Sequence, residues 1–150
     1  MLAPMNIRII EYTNDCKEAV HALFLDIYPD RPDVADRMSY DVETDRHVTT
    51  KLARVGEKIV GQAGVFYLKD LPRVAGIGYH VHPKFRRRGI GSLLAKTALA
   101  EARRRGVKRV IIEAATGNLA SIALAKNLGF AELRDAGVAE GNTVKLAKEV

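Results

Sequence analysis

Residues 73–115 constrain the fold more tightly than any other part of this 150-residue chain. "RVAGIGYHV" has strand character and ends at Pro83, which cannot continue a central strand. Directly after it, "HPKFRRRGIGS" presses Arg86, Arg87 and Arg88 against a Gly-x-Gly turn. From there Ile90, Leu94, Ala98 and Ala102 form one i,i+4 row, which predicts a helix over 90–105 that stops at Gly106. "KRVIIEAA" follows as a short apolar strand over 108–115. A helix between two strands is a crossover, and a crossover permits parallel pairing.

The flanks add hairpins to that crossover. The pattern predicts a strand in "NIRIIEYT", a helix over 15–28, and a polar, partly helical segment over 30–46. "HVTTKLARV" and "KIVGQAGVFYL" read as strands joined by a hairpin through Gly56, Glu57 and Lys58. After 115 come a helix over 118–128 stopped at Gly129, then "FAELRDAGV" and "NTVKLAKEV" as a closing strand pair. The order β-α-α-β-β-β-α-β-α-β-β describes an α/β protein with a mixed sheet, expected as a single domain across 1–150.

Composition excludes several classes. Hydrophobic residues make up 47% and charged residues 28%, a balance that disordered chains do not show. One cysteine, Cys16, rules out an internal disulfide, and its place in an amphipathic helix suggests a small core residue. No apolar run reaches membrane-spanning length, and "MLAP" lacks the regions of a secretory signal, so a cytoplasmic protein is expected. The net charge of +6 suits a phosphate-bearing partner. A nucleic-acid module using Arg86–Arg88 and Arg103–Arg105 remains an alternative, but aromatic residues are only 6% and no reader motif is present.

Three adjacent arginines repel one another unless an anion or solvent compensates. Glycines in a strand-to-helix turn bring backbone N–H groups toward one point, and the helix start adds partial positive charge. The turn is therefore an anion site. It carries no Gly-Lys-Ser/Thr, and the last glycine of a dinucleotide fingerprint is missing. Val81-His82-Pro83, Arg86-x-x-Gly89-x-Gly91, an Ala-rich helix, an apolar strand, Asn118 and Gly129-Phe130 together resemble the GNAT superfamily of acyl-CoA-dependent N-acetyltransferases. The local match spans 74–130, and the flanking order of elements fits as well.

That resemblance implies a three-layer fold: a mixed twisted sheet, helices on both faces, and a parallel strand pair that splays apart. It implies acetyl-CoA as cosubstrate and no metal. The loop Arg86, Arg87, Arg88, Gly89, Ile90, Gly91 and Ser92 would hold the pyrophosphate, with the pantetheine arm between "VAGIGYHV" and "RVIIEAA". Val81 would offer backbone groups to the acyl carbonyl, where an N–H stabilises the oxyanion of a tetrahedral intermediate. Asn118 would contact the cofactor arm, and Asn is also a strong helix N-cap. A homodimer is a family-level expectation.

Transfer to a primary amine by direct attack requires a base, because such an amine is mostly protonated at neutral pH. Glu113 interrupts "VIIEAA" in a strand expected to be buried, where its pKa should rise. It also matches the catalytic glutamate of some protein N-terminal acetyltransferases in the family. His80 is the rival: Gly76, Gly78 and His80 share one strand face, and the glycines leave open space beside the imidazole. Two positions depart from the family pattern. A common strand glutamate is Gly76 here, and a common general-acid tyrosine is Ala125, for which Tyr79 is the available substitute. Across residues 26–46, seven acids (Asp26, Asp30, Asp33, Asp36, Asp41, Glu43 and Asp45) face three arginines, which suggests an acidic side for a cationic small amine or peptide amine. A catalytically silent acyl-CoA sensor is the second alternative.

Overall fold

The computed structural model describes residues 6–42, 45–133 and 142–150. Strand β1 (Ile7–Glu11) and a 3₁₀ turn (Asn14–Cys16) lead into α1 (Lys17–Ile27) and α2 (Pro32–Met38). Strands β2 (His47–Val55), β3 (Lys58–Tyr67) and β4 (Val74–Val81) follow as an antiparallel meander. Helix α3 (Ile90–Arg104) crosses to β5 (Arg109–Ala115), and α4 (Leu119–Asn127), β6 (Ala131–Glu132) and β7 (Thr143–Glu149) complete the order. The sheet runs β1-β2-β3-β4-β5-β7-β6, and among the described strands only β4 and β5 pair in parallel. The expected mixed sheet is therefore present.

Alternation along the strands sends adjacent residues into different cores. Ala53, Val60, Ala75, Ile77, Val110 and Ile112 pack under α3 and α4, where the predicted row Ile90, Leu94, Ala98 and Ala102 is fully buried. Their neighbours Leu52 and Ile59 face the other way, against Val20, Leu23 and Phe24 of α1 and Ala35 of α2. Helices thus cover both faces, as expected. Cys16 sits at the start of α1, half-buried against this second cluster rather than inside it. The closing strand pair is β6 with β7. Of the strand expected over 130–138, β6 covers Ala131–Glu132, and residues 134–138 lie outside the described residues.

The crossover determines where a ligand can enter. β4 and β5 are in register only over Val74–Gly76 and Arg109–Ile111. Beyond that the parallel pairing ends, although β4 runs on to Val81 and β5 to Ala115. Meanwhile β4 stays bonded to β3: Leu68 N–H donates to the Val74 carbonyl at 2.9 Å, and His82 N–H to the Val60 carbonyl at 2.8 Å. Those bonds engage the even-numbered residues, so the backbone groups of Tyr79 and Val81 aim away from β3 and into the splay.

Candidate active site

Three cavities meet around this splay. The first, about 530 Å³, lies at the start of α3 and is lined by Arg86, Arg87, Gly89, Ile90, Gly91 and Ser92, with Val81, Phe85, Ala120 and Leu124 beside them. Gly89 is the N-cap of α3 with φ +78°, a left-handed conformation that costs side-chain-bearing residues about 1–2 kcal/mol. Gly91 has a different reason: a Cβ there would lie 3.3 Å from Leu124 Cδ2 and 3.6 Å from Val81 Cγ2. The first turn of α3 packs tightly against α4, so a side chain at Gly91 requires the end of Leu124 to give by a few tenths of an ångström. Bare backbone N–H groups, a helix start and two arginines thus line one concavity. Arg88 is outside that lining, and its guanidinium lies over the Phe85 ring, 5.8 Å from the centroid.

The second cavity, about 320 Å³, fills the splay. Tyr79, His80, Glu113, Asn118 and Arg86 all border it. Arg86 also lines the loop cavity, and its Nε donates to the Val81 carbonyl at 3.1 Å, which nothing in the sequence announced. Asn118 caps α4, its side-chain oxygen accepting from Ser121 N–H at 3.2 Å. Tyr79 packs on the α3 side and donates its hydroxyl to the Ser121 carbonyl at 2.9 Å. Burial raises the Tyr79 pKa, so the hydroxyl keeps its proton at neutral pH.

The third cavity, about 620 Å³, opens on the α1/α2 side of the sheet. Its floor is Gly64, Gly76 and Gly78, with Gly64 directly opposite Gly78 on the neighbouring strand. His80 and Glu113 border both this cavity and the splay. The open face beside His80 that the glycine pattern predicted is therefore present.

Glu113 requires a correction. Only Val110, Ile112 and Ala114 of β5 are buried; Glu113 points outward, is exposed, and accepts a hydrogen bond from Thr143 Oγ1 at 3.0 Å. The burial expected for this carboxylate is absent. Strand alternation, which an apolar run conceals, is the reason.

His80, half-buried at the junction, is the titratable group that its surroundings perturb instead. Its ring meets Phe24 edge-on at 5.0 Å and Tyr28 at 6.1 Å. Its Nδ1 lies 3.4 Å from Gln62 Oε1, and Gln62 Nε2 donates to the Tyr40 hydroxyl at 3.4 Å. Tyr40 bonds in turn to Thr50 Oγ1, which lies 2.9 Å from His47 Nε2. An amide oxygen can only accept, so this contact requires the proton on Nδ1 and leaves the Nε2 lone pair open. The sequence signal for this network was a glutamine inside the apolar run "KIVGQAGVFYL"; Gln62 is 1% exposed.

Burial, and secondarily the positive charge of Arg86, lower the His80 pKa from 6.5 to about 4. The unfolded chain therefore takes up this proton at higher pH than the folded one. The stability that depends on neutral His80 is present above about pH 6.5 and is lost as pH falls toward about 4, on the order of 3 kcal/mol in all. Urea unfolding between these pH values should show that loss in the wild type. His80→Ala should shed most of the slope; an equal slope in the variant would assign it to other groups.

His82 is a structural residue. It is 5% exposed, its Nε2 lies 3.0 Å from Asp26 Oδ2, and its Nδ1 accepts from Lys84 N–H. Among the described residues, the acids of 26–46 do not line the cleft. Asp33 pairs with Arg31, Asp36 with His21, and Asp41 with Lys17, all on the exposed surface of α1 and α2. None of the acids of 26–46 among the described residues lines the third cavity, and Glu43 lies outside those residues. No cluster of three metal-ligating side chains occurs among the described residues.

The loop and the splay lie side by side in this fold, and comparison with known proteins gives the chain a family. Residues 11–130 match the family model of the Acetyltransferase (GNAT) family, and the chain belongs to that family. Solved structures with the same fold include the GNAT domain of S. lividans PAT, 19% identical with a TM-score of 0.80, covering 96% of this chain and 90% of that one. A ribosomal-protein-alanine N-acetyltransferase from Brucella melitensis is 22% identical with a TM-score of 0.78, over 95% and 99% of the two chains. yncA from Salmonella typhimurium, solved with its cofactor acetyl-CoA, is 17% identical with a TM-score of 0.72, over 96% and 94%. Acetyl-CoA is the cofactor of the GNAT family. The bare loop, the left-handed Gly89 and the splay fit that molecule in kind.

Proposed function

We propose that this protein transfers an acetyl group from acetyl-CoA to a primary amine by direct attack. The observation that carries the reading is the lining the three cavities share at the splay: an anion-binding loop on one side, a glycine-floored chamber on the other, His80 and Glu113 common to the chamber and the splay, and Tyr79 and Arg86 common to the splay and the loop. Bound acetyl-CoA supplies the thioester. The loop backbone and Arg86 and Arg87 bind its phosphates, and the Val81 N–H, aimed into the splay, stabilises the developing oxyanion. His80 Nε2 accepts a proton from the amine as the new N–C bond forms. When the C–S bond then breaks, the Tyr79 hydroxyl is placed to protonate the thiolate, filling the role that Ala125 cannot; Ala125 is fully buried. Direct attack is favoured because Cys16 lines none of the three cavities.

The test is incubation of the protein with acetyl-CoA and a panel of amines, following free thiol release and the acetylated product by mass spectrometry. The expected result is amine-dependent thiol release, with no acetylated protein when the amine is omitted. Tight acetyl-CoA binding without thiol release for any amine would replace this reading by that of an acyl-CoA sensor.

A further inference from the structure

The third cavity also carries information about what enters it. At Gly76 and Gly78 its floor is bare backbone: a Cβ at Gly78 would meet only His80 Cε1, at 3.9 Å, and one at Gly76 only Leu68 Cδ2 at 3.4 Å and the Ile111 carbonyl at 3.8 Å, whereas Gly64 is covered by Gln62, Phe66 and Tyr40. Its walls are apolar, formed by Met38, Phe66, Leu68, Leu71 and Ile111. Burying such walls favours a ligand with an apolar body, and a polycation would leave them uncovered. Charge appears where β5 and β7 pair, because Glu113 and Lys145 are register partners and both line the cavity. They differ in what holds them. Glu113 accepts from Thr143 Oγ1, whereas Lys145 makes no ion pair among the described residues. With no ion pair among the described residues and an apolar chamber beside it, the Lys145 ammonium offers a partner to an anionic group on the ligand.

We infer that the acceptor is a small amine that also carries a carboxylate and an apolar body, the chemistry of a free apolar amino acid. Lys145 pairs with the carboxylate, and the glycine floor receives the side chain. The fate of the amine rests on the transferase reading; its binding does not.

Calorimetry on the protein saturated with coenzyme A separates the two. Phenylalanine, phenethylamine and spermidine are titrated into wild type, Lys145→Gln and Gly78→Val. Phenylalanine is expected to bind tightest in the wild type, about three- to fivefold tighter than phenethylamine, the range of an exposed charge contact. Spermidine should bind weakest. Lys145→Gln should close the gap between the first two, and Gly78→Val should weaken phenylalanine about tenfold or more by filling the floor. Spermidine binding tightest, or an undiminished gap in Lys145→Gln, would overturn the inference. Binding in the expected order without turnover supports it and overturns the transferase reading instead.

Discussion

Gly89→Glu and Gly91→Glu should each weaken acetyl-CoA binding by more than about 100-fold, while the protein stays folded. The two positions fail for different physical reasons. Gly89 stands at φ +78° with nothing within 4 Å of where a Cβ would sit, so a side chain there meets strain rather than a clash. The larger penalty is charge: a carboxylate at the N-cap of α3 competes for the N–H groups that would face the phosphates. Hydrogen bonds to charged groups are worth about 1.5–3 kcal/mol each, so losing two exceeds the ~2.7 kcal/mol that 100-fold represents. At Gly91 the added side chain must also shift the end of Leu124, crowding the loop cavity that Leu124 lines. Gly89→Ala isolates the strain and should cost far less. Calorimetry with acetyl-CoA reads all three, and retained micromolar binding by both glutamate variants would move the cofactor off this loop.

The second large effect concerns the proton. His80→Ala should lower kcat about 100-fold, the lower end of what a positioned base contributes, and leave the acetyl-CoA Kd within about twofold. Glu113→Gln should cost much less, because its carboxylate is exposed and held by Thr143. The pH profile adds a sign. A base whose pKa is lowered to about 4 is already neutral across the physiological range, so the acid limb of kcat/KM from this group falls only near that value. If instead Glu113→Gln produces the 100-fold loss, the roles are reversed.

Much of this architecture is legible in the chain itself. The i,i+4 row of α3, the Gly-x-Gly turn and the two flanking strands each carry a strong local signal, and together they define the crossover. Alternation places Gly76, Gly78 and His80 on one face. What the sequence conceals is tertiary. "VIIEAA" reads as uniformly buried, yet pairing of β5 with β7 leaves Glu113 on an open face. The acids of 26–46 suggest a collective field until their partners are seen to be Arg31, His21 and Lys17. The Gln62–Tyr40–Thr50–His47 network joins β2, β3 and the segment after α2, a convergence no single window displays. Arg86 is expected from the sequence at the phosphates; its donation to the Val81 carbonyl is not legible there.

The short register between β4 and β5 has a mechanical consequence. The sheet consists of two antiparallel leaves, β1-β2-β3-β4 and β5-β7-β6, joined edge to edge over three residue pairs. A ladder with so few rungs is a seam, and a molecule lodged in the open part of it can bond to both edges where the protein does not bond to itself. Such a guest completes the sheet: its binding free energy adds directly to the cohesion of the leaves by mass action. A substrate that also mends its enzyme gives the loaded form a resistance to unfolding that the free chain lacks.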